Sequence, residues 1–254
     1  MRKLLNFIVP LAITATPLSM ACAAPAADVA TTVAAPGRSA DNVKLDAGRK
    51  PAELLRFLGL EQGMAVLDMF GGNRYWAEIT APAVGPTGKV LVWEPTQFYD
   101  DEGKTAFAAF AAKAPNVSIV ASPFEAPNLP VNYADFALIN LDYHDVYWTN
   151  DKYKVVRMEP DAWLKTLYAA VKPGGVVGVV DHAANAGGDT RAVVEKTHRI
   201  DPAVVKADFA RAGFVLEGES DMYRNPADDH SLLVFDPKIR GKTDRFVLKF
   251  RKPR

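Results

Sequence analysis

Two carboxylates, each closing an apolar run, are the side chains best placed to do chemistry. Val66-Leu67-Asp68-Met69-Phe70-Gly71-Gly72-Asn73-Arg74-Tyr75 passes from an apolar stretch into Asp68, turns through paired glycines and enters a helical pattern. Val90-Leu91-Val92-Trp93-Glu94 repeats the run-then-carboxylate arrangement, with Glu94 roughly twenty residues past the glycines. Gly71-Gly72 permit a sharp turn whose backbone N–H groups can approach a ligand. A carboxylate at the position of Glu94 can accept hydrogen bonds from both hydroxyls of a ribose. Together the segments read as an α/β nucleotide-binding unit, with its ligand expected between Gly72 and Glu94. The competing reading is a bare strand–turn–helix junction followed by an exposed glutamate before Pro95.

A second polar group follows another apolar run: Asn140-Leu141-Asp142-Tyr143-His144-Asp145. In open α/β sheets, ligands sit beyond the carboxyl ends of the strands, which puts Asn140, Asp142, Tyr143, His144 and Asp145 on the ligand face. His144 is the expected general base, since an imidazole titrates near working pH. Asp142 and Tyr143 are expected to position it and the reacting group. Asp181-His182, His198-Arg199 and the stretch holding Arg224, Asp228, Asp229, His230 and Arg240 fall around the same opening, which would gather all four histidines. No HxxxH or HxH spacing marks a metal site, so no metal ligand is assigned. A metal-assisted hydrolase built on the histidines and aspartates stays as a rival chemistry.

The elements that must hold these residues alternate. Strands are expected at Ala65–Met69, Lys89–Trp93, Val117–Val120, Ala134–Leu141 and Gly175–Asp181, and helices at Asn73–Ala83, Asp101–Lys113, Asp161–Val171 and Asp201–Ala212. Asn42 to Leu58 is helical in pattern, with Pro51 opening a second helix. Alternating βα units impose a Rossmann-like, doubly wound and mostly parallel sheet with helices on both faces. Phe214–Tyr223 and Asp244–Phe250 have no long helix between them and are expected as a terminal antiparallel pair, giving seven strands. Lys172-Pro173-Gly174-Gly175 is expected as a turn, and Trp76, Trp93, Trp148 and Trp163 as packing residues.

Five βα units and a closing strand pair resemble the class I S-adenosylmethionine-dependent methyltransferases. The resemblance runs from about Asp41 to Pro253. It is strongest to a little-characterised bacterial group, often exported, known as predicted methyltransferases. Three segments carry it: Arg49-Lys50-Pro51-Ala52-Glu53-Leu54-Leu55, Leu141-Asp142-Tyr143-His144-Asp145, and Gly241-Lys242-Thr243-Asp244-Arg245-Phe246-Val247-Leu248-Lys249-Phe250. The resemblance implies S-adenosylmethionine as cofactor. It places Asp68, Phe70, Gly71 and Gly72 around the methionine part, with Phe70 where a glycine is usual. It makes Glu94 the ribose clamp, Ser122 and Phe124 adenine contacts beside Glu125, and Asn140 a member of the cofactor face. The methyl acceptor, a small or envelope-associated molecule, is then expected at Asp142, Tyr143 and His144. A non-catalytic nucleoside-binding protein on the same scaffold is the alternative.

Composition bounds the partners. The chain has 254 residues with 49% hydrophobic and 24% charged residues, which suits one globular domain. Thirty Lys and Arg balance thirty Asp and Glu. No basic excess points to nucleic acid. Arg2-Lys3, the apolar run Leu4 to Leu18 and the small residues through Ala23 have the layout of a secretory signal at 1–23, too short to span a bilayer. A periplasmic or secreted protein with no stable membrane span follows. Lipid anchoring through Cys22 is the alternative, although Ser19-Met20 make a poor lipobox. Cys22 is the only cysteine, so no disulfide framework or thiol nucleophile is available. Residues 24–41, rich in Ala, Pro and Thr, are expected as a flexible linker, and 42–254 as the domain.

Overall fold

Seven strands form one sheet in the order β3-β2-β1-β4-β5-β7-β6. In chain order the elements are α1 (Val29–Ala34), α2 (Ala40–Val43), α3 (Asp46–Arg49), α4 (Pro51–Leu58), β1 (Ala65–Met69), α5 (Tyr75–Val84), β2 (Lys89–Pro95), α6 (Asp101–Ala111), β3 (Val117–Ser122), β4 (Ala134–Asn140), α7 (Pro160–Ala170), β5 (Val171–His182), α8 (Thr190–Thr197), α9 (Pro202–Arg211), β6 (Val215–Ser220) and β7 (Arg245–Arg251). A 3-10 turn, Tyr143–Tyr147, follows β4. The computed structural model describes residues 25–254; the expected leader at 1–23, with Cys22, lies outside the described residues. Among those residues no helix is long and apolar enough to cross a membrane.

β1 pairs parallel with β2 and β4, β2 with β3, and β4 with β5. β7 inserts antiparallel between β5 and β6. Strand order therefore reverses between β1 and β4, and the crevice beyond their carboxyl ends is the switch point of a doubly wound sheet. The central strands are buried on both faces, as parallel strands under two helical layers must be. One apolar cluster, with Trp93, Tyr143, Trp163 and Phe209, fills one face; another, with Leu54, Leu58, Tyr75 and Val92, fills the other.

Local chemistry sets the ends of the elements. Asp201 caps α9 by accepting from Ala203 N, and Pro202 fills the first helical position. Asp189 caps α8 by accepting from Ala192 N at 2.8 Å. The sequence reading did not anticipate α8, in which Thr190, Arg191, Glu195, Lys196 and Thr197 leave only three apolar positions. Lys172-Pro173-Gly174-Gly175, expected as a turn, is absorbed into the irregular start of β5.

Residues 25–41 are not a free linker. Ala27 N donates to Leu60 O, Gln62 N donates to Pro25 O, and Val29 is buried against α4 and α5. Arg38 is buried and forms a bidentate pair with Asp46 at 2.7 and 2.9 Å. This segment fixes α2 and α3 over the start of α5, and α3 ends in Arg49.

α4 lies directly on β5. A Cβ at Gly178 would sit 2.4 Å from Leu58 Cδ1 and 2.9 Å from Cδ2. Leu58 is itself fully buried and has nowhere to go. Gly178→Ala should therefore destabilise the fold by about 1–3 kcal/mol in urea denaturation. An unchanged midpoint would contradict this packing.

Candidate functional site at the strand tips

Asp68 is the last polar residue of β1 and is wholly buried, yet neither carboxylate oxygen has a hydrogen-bond partner. Burial, then the Glu94 charge, pushes its pKa up to about 8. The Arg49 charge and the Ala77 amide pull the other way, but that amide falls outside hydrogen-bond geometry. The chain passes so close that a Cβ at Gly71 would lie 2.5 Å from Asp68 Oδ2. Glu94, at the end of β2, accepts from Gly72 N at 2.8 Å. Burial pushes Glu94 to about 7, against the pull of that hydrogen bond.

Gly72 and Glu94 thus touch, and no space lies between them: a Cβ at Gly72 would be 2.6 Å from Glu94 Cδ. The expected ligand position between these two residues is corrected on that geometry. The open space lies alongside. A pocket of about 120 Å3 is lined by Arg49, Met69, Phe70, Asn73, Trp76, Asn140, Leu141 and Asp142. Ligand sites span several hundred Å3, so a nucleoside-sized ligand requires this pocket to widen. A larger cleft of about 820 Å3 lies at the amino ends of β2 and β3, the opposite edge from the switch point.

The loop after Asp68 takes left-handed backbone at Phe70 (φ 59°) and Arg74 (φ 65°). A bulky residue in that region costs about 1–3 kcal/mol and needs compensation. Phe70 finds it in edge contacts with Trp93 at 4.9 Å and Phe124 at 5.2 Å, and in a stack with Trp163 at 6.2 Å. Arg74 turns back to its own loop and donates to Gly72 O at 3.3 Å.

The pocket's cation is Arg49, which the sequence reading passed over as a site residue. Its guanidinium lies 4.2 Å above the Tyr75 ring. Its carbonyl accepts from Tyr223 Oη, the neighbouring Gly48 O accepts from Arg245, and Lys50 reaches Met222 O. Contacts from the β6–β7 side therefore hold the backbone that carries Arg49, which lines the pocket together with Asp142.

Several expected contacts are placed elsewhere. Phe124 is fully buried in the aromatic cluster and does not face the pocket. Ser122 Oγ accepts from Trp93 Nε1 at 2.8 Å and Asn128 N at 2.9 Å, and neither Ser122 nor Phe124 lines the pocket. Tyr143 points into the core, where its hydroxyl donates to Asp208 at 2.7 Å beside Tyr147 at 2.6 Å. It positions α9, not a reacting group. Asn140 and Asp142 do line the pocket. Leu141 between them is left-handed (φ 70°), which turns the chain at the strand end.

His144 is buried in a carboxylate cluster. Its Nδ1 lies 2.7 Å from Asp181 Oδ1, and its backbone N donates to Asp181 Oδ2 at 2.9 Å. Burial lowers an imidazole pKa, but Asp181 and Asp145 outweigh it and push His144 up to about 9. Burial raises Asp181, and the His144 charge and hydrogen bond hold it below the ordinary value. A buried imidazolium locked between carboxylates is not the free base expected of His144. His182 and His198 join it, with ring centres 5.9 and 5.5 Å away. His230 stands apart, 3.1 Å from both Asn185 and Asp244. Arg199 is also spoken for, in a fully buried bidentate pair with Asp228.

Comparison with solved structures identifies the fold. A SAM-dependent methyltransferase from Aquifex aeolicus aligns with a TM-score of 0.56 at 19% identity, over 84% of this chain and 99% of its own. The [4+2]-cyclase SpnF aligns at 0.59 and 15% identity, over 91% and 97%. The 1,6-didemethyltoxoflavin-N1-methyltransferase of Burkholderia thailandensis, with 1,6-didemethyltoxoflavin and S-adenosylhomocysteine bound, aligns at 0.53 and 17%, over 84% and 80%. The chain has the methyltransferase α/β fold. The cyclase among these structures carries a different reaction name on the same fold. No family sequence model matches the chain. No curated protein matches it by sequence.

Asp68 yields a prediction of sign. A carboxylate raised from 3.8 to about 8 on folding favours the native state below pH 4 and loses that advantage as pH rises through 8. Asp68→Asn removes this burden. Its melting temperature should exceed wild type at pH 8, by about 2–4 °C for each kcal/mol relieved, and the gap should shrink toward pH 5. A variant less stable than wild type at pH 8 would contradict the unpartnered carboxylate.

Proposed function

We propose that this protein binds S-adenosylmethionine at the carboxyl ends of β1, β2 and β4 and transfers its methyl group to a small or envelope-associated acceptor. The observation that carries the reading is Asp68, a buried carboxylate with two unpartnered oxygens beside a Gly71-Gly72 turn too tight for any side chain. The residues present fit the cofactor's chemistry. An ammonium group offers the donors Asp68 lacks, and Glu94 can take ribose hydroxyls through Oε1 while Oε2 holds Gly72 N. Arg49 offers a guanidinium to an anionic group at the pocket. When bound, the cofactor supplies a methyl group on a positively charged sulfur, activated for in-line displacement.

The chain's own share of the chemistry is alignment and proton handling. Asp142 lines the pocket and can accept a proton from an acceptor hydroxyl or amine. His144 and Asp181 act behind it as a positioning pair. The neighbours named as methyltransferases, one with S-adenosylhomocysteine bound, support the cofactor class. The leader pattern at 1–23 puts this activity in the periplasm or outside the cell, as part of the same proposal.

Calorimetric titration with S-adenosylhomocysteine tests the reading. One site per chain is expected, with affinity falling more than tenfold from pH 8 to pH 6 as Asp68 (about 8) and Glu94 (about 7) take up protons. Glu94→Gln should weaken binding at least tenfold at pH 8 and flatten this dependence. No binding at millimolar ligand would overturn the pocket. Transfer of labelled methyl to an envelope extract separates a transferase from a nucleoside binder on the same scaffold.

A further inference from the structure

Behind the pocket, His144, Asp145 and His198 bring ligand atoms within 4.8 Å of one another. We propose that these three side chains form a divalent-metal site, of the zinc class, which shares His144 with the proposed methyltransferase site but rests on observations of its own. The case rests on how the ring nitrogens are committed. His144 Nδ1 faces Asp181 Oδ1 at 2.7 Å, and His198 Nδ1 faces Val194 O at 3.0 Å. Carbonyl oxygen only accepts, so His198 carries its proton on Nδ1. Asp181 binds Nδ1–H of His144 in the same way. Both rings then present Nε2 to the shared space, where the ion takes the place of the proton that His144 Nε2 carries in the metal-free protein.

This is the outer arrangement of metal-bound histidines, in which a carboxylate or backbone carbonyl holds Nδ1–H and aims Nε2 at the ion. The third ligand is already placed. Asp145 Oδ1 is buried without a hydrogen-bond partner, 3.3 Å from His144 Nε2 but outside hydrogen-bond geometry. Two ligands on one tetrahedral ion, each about 2.0–2.1 Å away, sit roughly 3.3 Å apart. Charge agrees as well: a dication balances Asp145 and Asp181. Zinc, with two imidazoles and one carboxylate, keeps a further position for water or an oxygen ligand. Trp148 and Phe235 pack against His198 at 5.1 and 5.2 Å and hold its ring in place.

The element that supplies His198 explains its backbone. His198 ends α8 in the left-handed region (φ 50°), which His and Asn tolerate better than most residues. His198→Asn is therefore the mildest way to remove the ligand. Asp145→Asn keeps shape and removes charge. Asp181→Asn leaves the three candidate ligands in place and alters the carboxylate behind His144, which also accepts from His144 N and His182 N.

The test uses the tag-free full chain, stripped with chelator and titrated with Zn2+ and with Co2+ as its spectroscopic substitute. One ion per chain is expected, with visible Co2+ bands displaced by Zn2+, and X-ray absorption of the zinc form showing two imidazoles. His198→Asn and Asp145→Asn should each weaken Zn2+ at least a hundredfold, and Asp181→Asn ten- to a hundredfold. Absent stoichiometric uptake at 100 micromolar Zn2+, fewer than two imidazoles, or equal affinity in folded variants overturns the site. If a variant fails to fold, the wild-type stoichiometry and absorption spectrum decide alone. S-adenosylhomocysteine titration of the same samples reports on the neighbouring pocket separately, so either proposal can fail without the other.

Discussion

A carboxylate buried with no donor around it raises the energy of the folded state, and this chain keeps one at the tip of its central strand. Asp68 has burial and the Glu94 charge against its ionised form, with the Arg49 charge and the Ala77 amide as weaker pulls the other way. Replacing it with an apolar residue would relieve the fold. That it stands there, beside a turn with no room for a Cβ, implies that its partner comes from outside the chain. The rest of the site follows from the same need. Glu94 accepts from Gly72 N beside it, and Arg49 is carried in from α3, ahead of β1 in sequence.

The positioning of Arg49 shows how much scaffold one pocket residue draws on. Residues 25–41 dock on α4 and α5, Arg38 clamps Asp46, and Tyr75 Oη donates to the same carboxylate at 2.8 Å. From the other side, Tyr223 and Arg245 bind the backbone of Gly48 and Arg49. The backbone that carries Arg49 is therefore held from both ends of the described chain. Phe70 is a comparable case: a side chain where glycine would be easiest, held in left-handed backbone by three aromatic neighbours.

The sheet was legible because its signals are local. Apolar runs, caps and glycine turns specify β1, β2, β4 and α9 almost to the residue, and Asp68 and Glu94 are placed by where those runs stop. What could not be read locally was direction. The four polar residues after β4 enter a 3-10 turn, which sends Tyr143 into the core toward Asp208 and His144 onto Asp181 while Asp142 stays at the pocket. Ser122 ends β3 and Phe124 follows it, but Trp93 and Asn128 donate to the first and the aromatic core buries the second. Motif spacing also could not show the His144–Asp145–His198 group, because α8, missed in the sequence, is what brings His198 across.

If the proposed pocket is right, Asp68 and Glu94 carry protons in the ligand-free protein and give them up when the ligand binds. Calorimetry of S-adenosylhomocysteine binding at pH 7, repeated in buffers of different ionisation enthalpy, measures those protons directly. With values of about 8 and about 7, the account predicts release of roughly one to one and a half protons per ligand bound. Binding with the same heat in every buffer, and hence no proton released, would contradict it.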